Sequence, residues 1–252
     1  MMGMQTTQRA SIIKAAIVCF AALAATQAIA ASDNPPSVTT PVPQLPGIRQ
    51  SLPSVRVFPL LPYQELPVVL QEKVRRLVAQ PTLSANGPVQ IFPGNPLVYT
   101  WLLDHPDRVV LMWRRLGARC LEITNRGDGW FGWTDHDGTD IRWQTALARD
   151  GLRVWYAEGS SRPMAWLPTI PFRAVVVLRS ATVKDNLRGD RLRQEAALYV
   201  QTDSKAAILL ARMLGPSAPR MAEQCMTQLE IFFSGIAWYL ERYPDQLSLL
   251  VP

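Results

Sequence analysis

The apolar positions of this chain change their period along its length, and each change marks an element. Leu66, Val69, Leu70, Val74, Leu77 and Val78 recur at three- and four-residue spacing, with Lys73, Arg75 and Arg76 supplying charge. This predicts a short amphipathic helix stopped by Pro81. Packing on a folded body and lying on a membrane surface both suit such a helix, but its stripe lacks the large aromatic residues of a membrane-surface helix. Residues 88–93 predict a short strand. Asn95-Pro96 then starts a helix over 97–103, and Pro106 starts a second over 107–116 that Gly117 ends. Asn95 and Asp104 suit cap positions, and proline suits a first helical turn.

From Arg119 the period becomes two. Strands are expected over 120–124, 130–134, 141–147, 152–157, 172–179 and 192–200. Turns at 125–129, 135–138 and Asp150-Gly151 separate the earlier ones. Short Asp-Gly and Asn-x-Gly turns between strands mean an antiparallel meander rather than a parallel sheet. Ile141, Trp143, Thr145 and Leu147 share one face. Leu152, Val154 and Tyr156 alternate with Arg153, Trp155 and Ala157. Thr202-Asp203-Ser204 caps a helix over 205–214, Gly215-Pro216 breaks it, and a longer helix follows over 219–243. Met221, Cys225, Leu229, Phe232, Phe233, Ile236, Tyr239 and Leu240 make its wide apolar face.

Composition separates a tail from this body. Of 21 prolines, nine lie between Pro35 and Pro67. Residues 31–62 are rich in Pro, Ser and Thr and have little to bury, so they read as an extended linker. Residues 1–30 read as a secretory signal peptide. Arg9 stands near the start, an alanine-rich apolar run follows, and Ala28-Ile29-Ala30 places small residues before a cleavage point after Ala30. The protein is thus expected to be exported, to a periplasmic or extracellular space. The single folded domain is expected to span 63–245. Hydrophobic residues make up 48% and charged residues 18%, which excludes a largely disordered chain. The net charge is +6, and +4 without Arg9 and Lys14, a weak pull on anions.

Candidate chemistry changes this picture little. Gly127, Gly129 and Gly132 spell GxGxxG. The dinucleotide motif needs a helix opening inside it, and here a strand continues. Asp135, Asp137 and Asp140 cluster carboxylates without the spacing of a calcium loop. His105 and His136 have no second histidine or cysteine nearby, so no metal is assigned. No G-x-S-x-G elbow is present. Basic residues form no stripe interleaved with aromatics, so nucleic acid is not an expected partner. No catalytic residue and no cofactor is assigned. Cys120, on an expected strand, and Cys225, on the last helix, are expected to be reduced, buried thiols. All eight tryptophans lie between Trp101 and Trp238. Core packing and a ligand cavity lined by amphipathic rings both account for them.

The order strand, helix pair, antiparallel meander, long C-terminal helix resembles the START-like helix-grip superfamily, the polyketide-cyclase and lipid-transfer group. The stretches that carry the resemblance are 93–103 (Pro-Gly-Asn-Pro-Leu-Val-Tyr-Thr-Trp-Leu-Leu) with 113–117 (Trp-Arg-Arg-Leu-Gly), and 203–243 for the closing helical part. The resemblance implies an α+β fold in which a curved antiparallel sheet wraps the last helix. It also implies a cavity between sheet and helix that takes a hydrophobic small molecule or lipid. Trp143, Trp155, Tyr156, Phe232, Phe233, Ile236 and Tyr239 are the candidates for lining that cavity. The faces carrying Ile141 to Leu147 and Leu152 to Tyr156 are both expected to look toward the long helix. Phe232 is expected to border open space, so that its truncation costs little stability. The rival readings are a cyclase- or hydrolase-type enzyme in the same cavity and an envelope interaction protein with a filled core.

Overall fold

The computed structural model describes residues 61–136, 138–162, 169–185, 189–205 and 217–246. The expected signal peptide, most of the expected linker, Asp137, the expected helix over 205–214 past its first residue and the expected Gly215-Pro216 break lie outside these residues.

Helix α1 (Val68–Ala79) follows a 3-10 turn (Tyr63–Glu65). Strands β1 (Leu83–Asn86) and β2 (Gln90–Pro93) come next; β2 is the strand expected over 88–93, and β1 is a further strand that no expectation covered. Helix α2 (Pro96–Asp104) starts where Asn95 predicts. The Asn95 side chain accepts the amide hydrogens of Leu97, at 2.8 Å, and Val98. Helix α3 (Pro106–Arg115) follows directly, but Asp104 does not cap it. His105 holds the cap position without a side-chain bond.

The meander comprises β3 (Thr124–Gly127), β4 (Trp130–Thr134), β5 (Asp140–Arg149), β6 (Leu152–Ser161), β7 (Ile170–Asp185) and β8 (Gly189–Gln201). Together with β1 and β2 it forms one sheet of eight strands in the order β1-β8-β7-β6-β5-β4-β3, with β2 also on β8, all pairs antiparallel. The expected strand over 120–124 is corrected. Cys120 precedes β3, held by the Arg114 guanidinium on its carbonyl. The GxGxxG letters form the β3–β4 hairpin. Gly127, Asp128 and Gly129 all take the positive φ that a tight turn needs. Cys120 is buried and Cys225 half-buried, and no disulfide joins them.

Helix α4 (Ser217–Arg242) lies on one face of the sheet, against β1, β2 and β8, with α2 and α3 packed on it. Gly235 permits the α3 contact. A Cβ there would come within 2.8 Å of the Trp113 ring, whose Nε1–H donates to the Phe232 carbonyl at 2.9 Å. The architecture is α+β with an antiparallel sheet gripping a C-terminal helix, as expected.

The opposite face of the sheet is covered too. Leu66, Leu70, Val74 and Leu77, the last two fully buried, pack from α1 and the turn before it on Leu152, Val154, Tyr156, Val175 and Val177. Two expectations are corrected here. Leu152, Val154 and Tyr156 face α1, not the long helix, while Trp155 and Ala157 face the grip. Leu147 joins the α1 side because β5 carries a bulge between Thr145 and Leu147. Thr145 pairs with Trp155, whereas Leu147 pairs with Val154. The extra residue flips the strand's later side chains to the other face.

Candidate functional site

The predicted lining residues separate. Trp143, Trp155, Phe232, Phe233 and Ile236 do come together between sheet and α4. The Trp155 and Phe233 rings stack at 5.8 Å, Phe232 meets Phe233 edge-on at 5.0 Å, and Phe131 tilts on Trp143 at 6.2 Å. All five are buried, at 4% exposure or less, and belong to one packed cluster. Phe232, at 1%, is buried against Phe233. Tyr239 is half-buried, tilted on Tyr243 at 4.9 Å. Tyr156 is on the far side of the sheet, under α1, with the Lys73 ammonium 5.9 Å from its ring centre. Burial, then the neighbouring Glu158 carboxylate, push its hydroxyl up to about 12.

Deep in the grip lies a polar cluster that hydrophobic patterning overlooked. The Tyr99 hydroxyl, on α2, donates to Gln194 Oε1 on β8. Gln194 Nε2 donates to Gln90 Oε1 on β2 at 2.8 Å and to the Glu230 carbonyl on α4 at 3.1 Å. Ser234 Oγ donates to the same Gln90 oxygen at 3.1 Å. Glu230 lies beside them, fully buried, and its carboxyl oxygens meet no side-chain partner. Burial pushes its pKa up to about 9, against a smaller lowering from the Ala196 backbone, so it is a neutral acid at pH 7. Its carboxyl fits because position 87 is glycine. A Cβ there would lie 2.7 Å from Oε1. Burial also raises the Tyr99 hydroxyl far above its ordinary value, helped by Glu230 and opposed by Arg153. The signal was present in the sequence. Glu230 and Ser234 continue the buried Met226 row at four-residue spacing, and Gln194 stands between Leu192 and Ala196 on the same strand face.

Tyr99 also borders an open cleft of about 500 Å³ between α2, the β5–β6 turn and β7–β8. Leu97, Leu103 and Leu192 supply apolar wall, and Thr100, Ser180 and Thr182 add hydroxyls. Its one buried charge is Arg153. The guanidinium donates to Asp104 through Nη1 to Oδ1 and through Nη2 to Oδ2, the latter at 3.4 Å. The other lining charges, Arg149 and Asp150, are exposed at the turn, and Arg149 is tied outward to Glu65 at 2.6 Å. The cleft lies apart from the predicted lining residues.

Of the hydrophilic features singled out in the sequence, Asp140 holds Arg126 at 2.7 Å and Thr134 at 2.6 Å. The Arg126 bond holds its carboxyl below the usual range. His105 stacks on Trp101 at 4.4 Å and bonds the Trp101 carbonyl, as a helix-junction residue would. Among the described residues no three metal-ligating side chains gather in one place, and no helix is long and apolar enough to cross a membrane.

No family model and no curated protein matches this chain. Solved structures do. A conserved protein from Geobacillus kaustophilus is similar at 15% identity and TM-score 0.38, over 59% of this chain and 95% of its own. A hypothetical protein from Helicobacter pylori is similar at 10% identity and TM-score 0.41, over 65% and 93%. A truncated norcoclaurine synthase from Thalictrum flavum is similar at 9% identity and TM-score 0.32, over 59% and 92%. The fold fits the helix-grip superfamily through the element order and sheet topology described above.

Proposed function

We propose that this protein is exported and binds an amphipathic, lipid-like molecule without altering it, in the cleft between α2 and the β5–β6 turn. The carrying observation is the cleft itself. Its volume of about 500 Å³ falls within the range of small-molecule sites, with leucine walls and a few convergent polar groups. The aromatic interior under α4 is the poorer candidate, because the rings there already pack on one another. Binding is favoured over catalysis because no side chain facing the cleft is poised as a base. Asp104 is held by a guanidinium, and Tyr99 spends its proton on Gln194.

The test is a titration of the full chain with the neutral dye Nile red, on wild type and on Ala148→Trp. Ala148 is exposed and lines the cleft, so a tryptophan there blocks it without disturbing the core. Saturable binding that Ala148→Trp abolishes, at unchanged melting temperature, is expected. Absent binding, or binding indifferent to Ala148→Trp, refutes the reading.

A second reading has its own observation. Leu97 is 81% and Trp101 37% exposed on one face of α2, the exposed apolar patch an envelope interaction protein would have. A partner docked on that face would make Trp101→Ser, outside the cleft lining, the damaging variant instead.

A further inference from the structure

We propose that the ligand of this cleft carries an anionic head, a carboxylate or phosphate on an apolar chain, and that the head takes Arg153 from Asp104. The proposal rests on the cleft being the binding site.

The ion pair is lopsided. The Arg153 side chain is 7% exposed and the Asp104 side chain 43%. The cation is therefore fixed inside, on the central strand β6, on the same face as Trp155 and Ala157. The anion comes from the rim and can leave into water. A guanidinium presents two parallel donors to any planar pair of oxygens, so a ligand carboxylate or phosphate reproduces what Asp104 now supplies. Without such a replacement, a nearly buried guanidinium would be left unpaired, which is costly. Occupation of the cleft and release of Asp104 are thus coupled through one cation.

Asp104 sits where leaving is easy. It is the last residue of α2, at the carbonyl end, where a carboxylate is disfavoured. It also stands two residues before Pro106, at the start of α3, whose first turn has no side-chain cap. Leu97, Leu103 and Leu192 then remain for the apolar chain.

The experiment is competition against Nile red on the full chain, with dodecanoate, dodecyl phosphate, the neutral dodecanol, and inorganic phosphate or acetate without a chain. A charge-assisted bond of this kind corresponds to roughly tenfold or more in affinity. Wild type is expected to take either anionic amphiphile about tenfold more tightly than dodecanol, and to ignore the chainless anions. The stronger of dodecanoate and dodecyl phosphate identifies the head. Arg153→Gln is expected to erase the preference while dodecanol still binds. Asp104→Asn, which removes the competing charge, is expected to tighten anionic binding severalfold and leave dodecanol unchanged. Should Asp104→Asn fail to fold, Asp104→Glu, with a longer reach for the same guanidinium, is expected to keep the preference at altered strength. Equal binding of dodecanoate and dodecanol by wild type overturns the proposal and leaves the cleft reading intact. A preference that survives Arg153→Gln, or binding of phosphate without a chain, overturns it too. Failure of every amphiphile to displace Nile red takes the cleft reading with it.

Discussion

The two faces of the sheet are built from different chemistry. Under α1 the contact is chiefly aliphatic, Leu70, Val74 and Leu77 against Leu152, Val154, Val175 and Val177. Under α4 it is aromatic and alanine-rich, with Trp143, Trp155, Phe232 and Phe233, and it encloses Gln90, Gln194, Glu230 and Ser234. The α1 face needs little besides shape and apolar area. The grip face must also satisfy polar groups away from water, and it leaves Glu230 neutral and without a side-chain partner. The cleft and its guanidinium open on this second side. Polar groups that cost stability are thus concentrated on the face with room for function, while the other face acts as plain support.

The comparison can be broken most severely by cutting both faces at once. Phe232→Ala is expected to cost about 3–5 kcal/mol and Leu77→Ala about 2–5 kcal/mol, because both side chains are buried and leave cavities. Since the two sites lie on opposite sides of the sheet, denaturation of the double variant should show the sum. A marked shortfall would mean that the layers are not independent.

The polar burden of the grip face should appear in pH dependence. Glu230 has an ordinary value of 4.5 and a folded value of about 9. Between these the folded state holds a proton the unfolded chain has lost. Its contribution to stability is therefore full below about 4.5 and is lost as pH rises toward 9, at up to about 1.4 kcal/mol per pH unit. Melting curves from pH 5 to 9 should slope downward in wild type and be flatter in Glu230→Gln. An equal slope in both would locate the effect elsewhere.

Gly87→Ala sharpens the same point. The added methyl would press on the Glu230 carboxyl, so it should destabilise by about 1–3 kcal/mol, and less in a Glu230→Ala background. On the α1 side the smallest effect is expected at Val69, 74% exposed despite its place in the apolar repeat. Val69→Ala should stay within about 0.5 kcal/mol by urea denaturation.

Much of this fold was legible. The β4 strand, the α2–α3 helix pair, the meander and the long last helix follow from period, turn residues and prolines, because each depends on neighbours in sequence. The faces were less legible for the same reason. Alternation in β6 shows that Leu152, Val154 and Tyr156 share a side, but both sides of that strand are apolar, and period alone cannot say which side meets which helix. The bulge before Leu147 has no mark in composition, yet it transfers that residue from one face to the other.

What the sequence determined by itself was the set of elements and their antiparallel succession, since turn geometry and hydrophobic period act over a few residues. The tertiary structure decided what those elements enclose. It turned Tyr156 toward α1, stacked Trp155 on Phe233, and gathered Tyr99, Gln90, Gln194 and Glu230 from four elements into one buried cluster. It brought Asp104 across 49 positions of chain to Arg153. These outcomes depend on where strands and helices are placed relative to one another, and packing in three dimensions sets that distance.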